Sequence, residues 1–203
     1  MASTQPGLFQ LTPSPPALPE GFVYRPEVLT PDEEARLAAR LAELAFAPFE
    51  FRGYLGKRQV VSFGWRYDFT AGGLRPAAPI PDFLKPLRVR AAEAAGLTAA
   101  DLQQALVTQY PPGAAIGWHK DRPEFAEVVG VSLLAPGLLR FRRPGGRGWE
   151  RASLTVEPRS LYVLAGPARY AWEHSLPPVG GLRYSITFRR LRGDAGGRVA
   201  GSP

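Results

Sequence analysis

The chain has 203 residues, no cysteine and only two histidines, His119 and His174. The lack of cysteine excludes disulfide bonds and thiolate metal sites. It fits a cytoplasmic protein, which is the location we expect. No run approaches the roughly 20 consecutive apolar residues of a membrane span, so we expect no membrane association. The first residues are polar and proline-rich, and they lack the apolar segment of a secretory signal.

Basic residues outnumber acidic ones. The formal net charge is +7 and the pI is about 10.1. Such a balance favours polyanionic partners, chiefly nucleic acid. A genome-wide bias towards Ala, Gly, Pro and Arg would produce the same balance, so charge alone does not identify the partner. The length suits one domain with a substantial core, and we expect a monomer.

Residues 107–121 carry the first candidate site. His119 and Asp121 lie two positions apart, and side chains at that spacing on an extended strand point to the same face. Together with the distant His174 they would form two imidazoles and one carboxylate on one side of a metal, the facial triad of non-haem Fe(II) oxygenases. A bland alternative stays open, because an isolated His-x-Asp pair is common and a lone histidine is usually solvated or hydrogen-bonded.

Residues 183–189 alternate in polarity and predict a strand with an apolar face and a polar, cationic face. The polar face carries Arg183, Ser185, Thr187 and Arg189. Guanidinium groups pair with carboxylates in a fork geometry, so this face suits an anionic cosubstrate. Six residues of extended strand separate the two arginines by about 20 Å. Arg183 is therefore the better candidate for a remote carboxylate, unless both side chains lean inward.

Residues 51–69 mix cations with aromatic rings and predict a hairpin or two short strands. Cations meet phosphates and rings stack on bases, so the segment suits a nucleic-acid lid. The candidate contacts are Arg52, Tyr54, Lys57, Arg58 and Trp65. The alternative is an amphipathic hairpin whose rings fill the core. Elsewhere, we expect Trp118 to pack in the core and Trp172 to line the site.

The remaining pattern predicts the domain organisation. Residues 1–19 form a disordered proline-rich arm, residues 20–191 a single domain and residues 192–203 a flexible tail. Thr30, Pro31 and Glu33 predict the start of a helix with a capping box that extends to about Ala47, and a second helix covers residues 82–95. Many short strands with turns follow from Leu106, which predicts a mainly β (α+β) jelly roll with the N-terminal helices packed on one sheet.

Five segments, in this order, resemble the AlkB branch of the Fe(II)/2-oxoglutarate dioxygenases. They are Gln-Tyr-Pro-Pro-Gly at 109–113, His-Lys-Asp at 119–121, Pro-Arg-Ser at 158–160, Gly-Pro-Ala-Arg-Tyr at 166–170, and Arg-Tyr-Ser-Ile-Thr-Phe-Arg at 183–189. The resemblance covers roughly residues 21–191. The third and fourth segments are similar to those of the tRNA-modifying AlkB homologues.

The resemblance implies a double-stranded β-helix that uses Fe(II), 2-oxoglutarate and O2 and releases succinate and CO2. It places the metal on His119, Asp121 and His174, which are also the catalytic residues. It places 2-oxoglutarate on Tyr110, Arg183, Arg189, Thr108 and Ser185, where Thr108 replaces an asparagine that many members carry. It makes residues 51–69 the substrate lid. Repair enzymes often carry an acidic residue where this chain has Pro123, so we expect Glu124, the next residue, to contact substrate.

We therefore expect an oxygenase that demethylates or hydroxylates bases of DNA or RNA, with single strands preferred because a base must leave its stack to reach the iron. Two alternatives stay open. One keeps the chemistry and changes the substrate to a protein side chain or a small molecule. The other is a nucleic-acid-binding or metal-binding module without turnover.

Overall fold

The computed structural model describes residues 17–51 and 54–193, with residues 51, 54 and 55 described as backbone only. Most of the predicted arm and tail therefore lies outside the described residues. The thirteen described strands are β1 Phe22–Arg25, β2 Ala47–Phe51, β3 Tyr54–Phe63, β4 Trp65–Tyr67, β5 Leu74–Pro76, β6 Gln104–Tyr110, β7 Ile116–His119, β8 Phe125–Leu133, β9 Gly137–Gly145, β10 Gly148–Val156, β11 Ser160–Leu164, β12 Glu173–Leu176 and β13 Arg183–Leu191. The helices are α1 Pro31–Ala42, α2 Lys85–Ala94 and α3 Gly166–Tyr170, with 3₁₀ turns at Asp82–Leu84 and Ala99–Asp101.

Two sheets face each other as a jelly roll. The major sheet has seven strands in the order β1-β11-β8-β13-β6-β3-β2, and the minor sheet has four in the order β10-β9-β12-β7. Strands β4 and β5 form a separate ribbon. The strand pairs are antiparallel. The mainly β jelly roll predicted from the sequence is confirmed.

The helices begin and pack as predicted. Thr30 Oγ1 accepts the Glu33 amide at 3.2 Å and Glu33 Oε2 accepts the Thr30 amide at 2.8 Å, so the predicted capping box is present. Helix α1 ends at Ala42, earlier than predicted, because the chain turns to start β2 at Ala47. Among the described residues, no helix has both the length and the apolar composition needed to cross a bilayer.

The outer face of the major sheet is the floor of the larger apolar core. Alternation along β13 sends Tyr184, Ile186 and Phe188 to this side, where they join leucines of the two helices, among them Leu41 and Leu87. Burial of such side chains stabilises the fold by about 1.5–3 kcal/mol each. The helices therefore cover one sheet, and the polar side chains of β13 are left to face the minor sheet.

The space between the sheets has two halves. The apolar half is filled by Val128, Leu139, Phe141, Ala152, Val156, Tyr162, Leu164, Ala168 and Trp172. The polar half is lined by the other inward side chains of β6, β7, β12 and β13. Trp172 therefore does not line the site, contrary to the prediction, because it packs in the apolar half.

Candidate metal centre

The two histidines lie opposite each other on neighbouring strands of the minor sheet. Strands β7 and β12 are antiparallel, and His119 is the cross-strand partner of His174. Their ring centroids are 4.3 Å apart. Residues directly opposite in a sheet point to the same face, and this face looks into the polar half of the interior. Distant parts of the chain thus bring both imidazoles to one place.

Asp121 follows β7 and is fixed by an arginine of the opposite sheet. Its Oδ1 accepts hydrogen bonds from Arg189 Nη2 at 2.9 Å and from Nε at 3.2 Å. Its Oδ2 lies 3.6 Å from His174 Nε2, and the side chain is only 7% exposed. Burial raises the pKa of Asp121, but Arg189 and the two histidines outweigh burial, so the net pKa lies below its usual range. The carboxylate is therefore ionised.

Both imidazoles are neutral at physiological pH. Burial lowers the pKa of His119, and Asp121 only partly opposes the shift. Burial and the charge of His119 lower the pKa of His174 to about 3. His119 Nδ1 lies 2.9 Å from the Gly117 carbonyl, so the tautomer that donates this bond keeps the Nε2 lone pair free. A neutral imidazole is the form that binds metals.

This donor set fits Fe(II). Two neutral imidazoles and one ionised carboxylate are the three ligands of the facial triad. Among the residues that the structure describes, none is a hydrogen-bond partner for the buried Nδ1 of His174. Within residues 17–51 and 54–193, no three His, Asp or Glu side chains are already arranged as a ligand cluster. The three groups nevertheless share one pocket, and His174 Nε2 lies 3.6 Å from Asp121 Oδ2.

The predicted cosubstrate residues line the same pocket from the major sheet. Arg183 is the cross-strand partner of Tyr110, and Ser185 is the partner of Thr108. Arg183 is 2% exposed and donates from Nε to Ser132 Oγ at 3.2 Å. Among the described residues, no carboxylate lies within ion-pair distance of it. A buried guanidinium without an anion is costly, so this end of the pocket suits an added carboxylate.

Arg58 lies in the pocket too, which corrects its predicted position on an exposed lid. It is 9% exposed, and its guanidinium sits 3.7 Å from the centre of the Phe49 ring. Burial lowers the pKa of Arg58, and the Tyr110 hydroxyl opposes the shift. The reason is strand pairing: β3 continues the major sheet beside β6, with Val60 opposite Thr108, and Arg58 shares the inward face with Val60.

Three of the other predicted substrate residues, Lys57, Trp65 and Glu124, do not line the pocket. Lys57 is exposed on β3, and Trp65 is half-buried on β4. Glu124 lies 3.8 Å from Arg122, whose guanidinium sits 3.8 Å from the centre of the Tyr67 ring. Arg52 lies outside the described residues, as does the side chain of Tyr54.

Sequence reasoning missed Arg169, which links the segments that carry the candidate ligands. Arg169 is 3% exposed and lies in α3, just before β12. It donates to the backbone carbonyls of Ala126 at 2.9 Å, Arg122 at 2.6 Å and Phe125 at 2.7 Å. The Arg122 carbonyl lies in the loop after Asp121, and the other two carbonyls lie at the start of β8. The sequence gives no hint of this clamp, because the contact joins segments more than 40 residues apart in the chain.

Comparison with known proteins places the chain in a family. Residues 21–189 match the sequence profile of the 2OG-Fe(II) oxygenase superfamily. An Arabidopsis thaliana protein named alkylated DNA repair protein ALKBH8 homolog is 26% identical over 77% of this chain and 51% of its own length. The alpha-ketoglutarate-dependent dioxygenase AlkB of Escherichia coli is 30% identical over 57% of this chain and 58% of its own length. The chain thus spans about half the length of these relatives.

A solved structure shows the same fold. OsALKBH1 superposes with a TM-score of 0.69 at 16% sequence identity, covering 86% of this chain and 98% of the other. The family profile covers most of the chain. The chain belongs to the 2OG-Fe(II) oxygenase superfamily.

Proposed function

We propose that the chain is a dioxygenase that uses Fe(II), 2-oxoglutarate and O2 to oxidise a modified base in single-stranded nucleic acid, with iron held by His119, Asp121 and His174. The observation that carries the ligand assignment is the cross-strand pairing of His119 with His174 beside a buried, ionised Asp121. Arg189 orients that carboxylate through two hydrogen bonds. When bound, the metal supplies the oxidising chemistry, in which 2-oxoglutarate is converted to succinate and CO2.

Arg183 takes the remote carboxylate of 2-oxoglutarate. Its burial and its lack of an acidic partner among the described residues support this role. The hydroxyl of Tyr110, its cross-strand partner, donates to the same cosubstrate. Thr108 and Ser185 add hydroxyl groups on the neighbouring row of the sheet. Arg183 is buried between the two sheets, which strengthens its charged contact.

Three features support nucleic acid as the substrate. The net charge is +7. Lys57 is exposed on the hairpin strand β3, and Tyr67, on β4, presents an aromatic ring near the loop that follows Asp121. The similar proteins include one named for repair of alkylated DNA and, in Xenopus tropicalis, one named as a tRNA methyltransferase, of which this chain covers 26%. Arg58 contacts the target base from inside the pocket, where strand β3 has placed it.

The test is succinate formation with matched substrates. Methylated single-stranded DNA and RNA, the same sequences as duplexes, tRNA and methylated peptides are compared under one set of conditions. We expect stimulation by single strands above duplexes, because a paired base must first be unstacked at a cost of a few kcal/mol. Stimulation by peptides alone would replace the proposal with the protein-substrate alternative.

A variant pair separates lid contacts from pocket contacts. Lys57→Ala should flatten the salt dependence of single-strand binding by about 0.7 in log–log slope, the effect of one lost phosphate contact. Arg58→Ala should lower turnover more than it changes that slope, because Arg58 is buried. The matched control is Arg36→Ala, which removes an exposed cation of α1. Equal slopes for Lys57→Ala and wild type would remove Lys57 from the interface.

A further inference from the structure

The outer face of the minor sheet presents arginine and tryptophan side chains to solvent. We define the Trp–Arg face by Trp118, Arg140, Arg142, Trp149, Arg151 and Glu173. Helices α1 and α2 pack on the major sheet, so the described residues place no helix over this face. The register sets its composition: Arg142 lies opposite both Arg151 and Glu173, and inward Phe141 alternates with outward Arg140 and Arg142.

The rings and cations of this face form one continuous stack. The Arg142 guanidinium lies 4.5 Å from the Trp118 ring and 4.4 Å from the Trp149 ring. Arg140 lies 5.0 Å from Trp118. The stack therefore crosses the sheet from edge strand β7 to edge strand β10. Trp118 faces outward here, which corrects its predicted place in the core.

The charges of the face are not balanced. Glu173 pairs with Arg142 at 2.6 Å, but in the described part of the chain neither Arg140 nor Arg151 has an acidic partner. Arg142 and Arg151 are directly opposite on neighbouring strands, and like charges in that position destabilise a sheet. Trp149 is 46% exposed. An anionic partner with flat rings would relieve the repulsion and cover the indole.

We propose that the Trp–Arg face is a second docking surface for single-stranded nucleic acid, in addition to the lid. Guanidinium groups contact phosphates and the exposed indole of Trp149 stacks on a base. Strands β7 and β12 carry His119 and His174 on their inner side and Trp118 and Glu173 on their outer side. A strand with one base in the pocket reaches this surface by passing around edge strand β7. This path from the pocket to the Trp–Arg face is the one step that rests on the proposed function.

Binding of an unmodified, fluorescein-labelled 20-nucleotide single strand across a salt series tests the surface without any turnover. The double variant Arg140→Ala with Arg151→Ala should lower the log–log slope by about 1.4, the effect of two lost phosphate contacts. Trp149→Ala should weaken affinity about 10-fold through lost stacking. The matched control is Arg25→Ala with Arg36→Ala, which removes two exposed cations elsewhere and should leave the slope unchanged.

The outcomes separate this inference from the proposed function. Turnover of a modified trinucleotide, too short to leave the pocket, should be the same in the double variant and wild type, while turnover of the 20-nucleotide substrate should fall. A slope equal to that of the control would overturn the inference, and so would displacement of the oligonucleotide by poly-glutamate at equal charge concentration. If no modified base is oxidised but the slopes differ as stated, the proposed function fails and the docking surface stands.

Discussion

The two halves of the space between the sheets lie on neighbouring strands but bury different chemistry. Strand β9 gives Leu139 and Phe141 to the apolar half, whereas its neighbour β12 gives His174 to the polar half. In the polar half Asp121 is bound to Arg189 and both histidines are neutral, whereas buried Arg183 has no acidic partner among the described residues. The apolar half therefore stabilises the sandwich, whereas the polar half holds the candidate site at a cost in stability.

Tyr162 marks the border between the halves. Its ring belongs to the apolar cluster, and it also lines the pocket. Burial raises the pKa of Tyr162 to about 12. A Cβ at Gly130, directly opposite on β8, would lie 2.2 Å from this ring. Because Gly130 has no side chain, the Tyr162 ring can lie against the major sheet, where it lines the pocket.

The largest expected effect lies in the apolar half. Phe141→Ala should lower the free energy of unfolding by about 3–5 kcal/mol, because it removes a fully buried ring and leaves a cavity. Urea unfolding of the metal-free protein measures this. The affinity for 2-oxoglutarate in the folded protein should change little. If Phe141→Ala lost much of its affinity for 2-oxoglutarate but kept its free energy of unfolding, the distinction between the halves would be wrong.

The next effect lies in the polar half. Arg183→Ala should weaken the binding of 2-oxoglutarate by about 2–5 kcal/mol, which is the cost of losing one side of a buried charge pair. Arg189→Ala should weaken it less and should instead weaken metal binding, since Arg189 holds Asp121. Calorimetric titration of both ligands against both variants separates the two. Equal 2-oxoglutarate affinity in Arg183→Ala and wild type would remove Arg183 from the site.

The histidines make the stability of the metal-free protein depend on pH. The pKa of His174 falls from 6.5 to about 3 on folding, so protons bind the unfolded chain first. The contribution of His174 to the free energy of unfolding is therefore fully present above pH 6.5 and declines as the pH falls towards 3. Between pH 6.5 and 5 the loss is about 2 kcal/mol. Urea midpoints in chelator should show this decline, and His174→Gln should reduce it.

The smallest effect concerns the clamp. Arg169→Met keeps a long side chain and removes the hydrogen-bond donors to the carbonyls of Arg122, Phe125 and Ala126. We expect about a 10-fold loss of iron affinity, as for other groups that orient ligands, with 2-oxoglutarate affinity per metal-loaded protein preserved. Arg190→Met is the matched control, because Arg190 pairs with Glu127 away from the pocket. Equal iron affinity in the two variants would make Arg169 a purely structural residue.

Local patterns could be predicted from the sequence. The capping box at Thr30, the alternation along β13 and the shared place of His119 and Asp121 each depend on residues a few positions apart. Pairing between distant strands could not be predicted from the sequence. Arg58 was expected on an exposed lid and is buried, because the neighbour of β3 is β6, almost fifty residues later. Trp118 was expected in the core but lies on the outer side of the minor sheet, which no described helix covers.

The central claim is that one iron binds through His119, Asp121 and His174, and metal stoichiometry tests it most directly. Anaerobic equilibrium dialysis with Fe(II) is carried out on wild type and on His119→Ala, with circular dichroism to confirm that both are folded. We expect one Fe(II) per chain for wild type, and loss of binding and of metal-dependent turnover for the variant. Full iron affinity and activity in His119→Ala would contradict it.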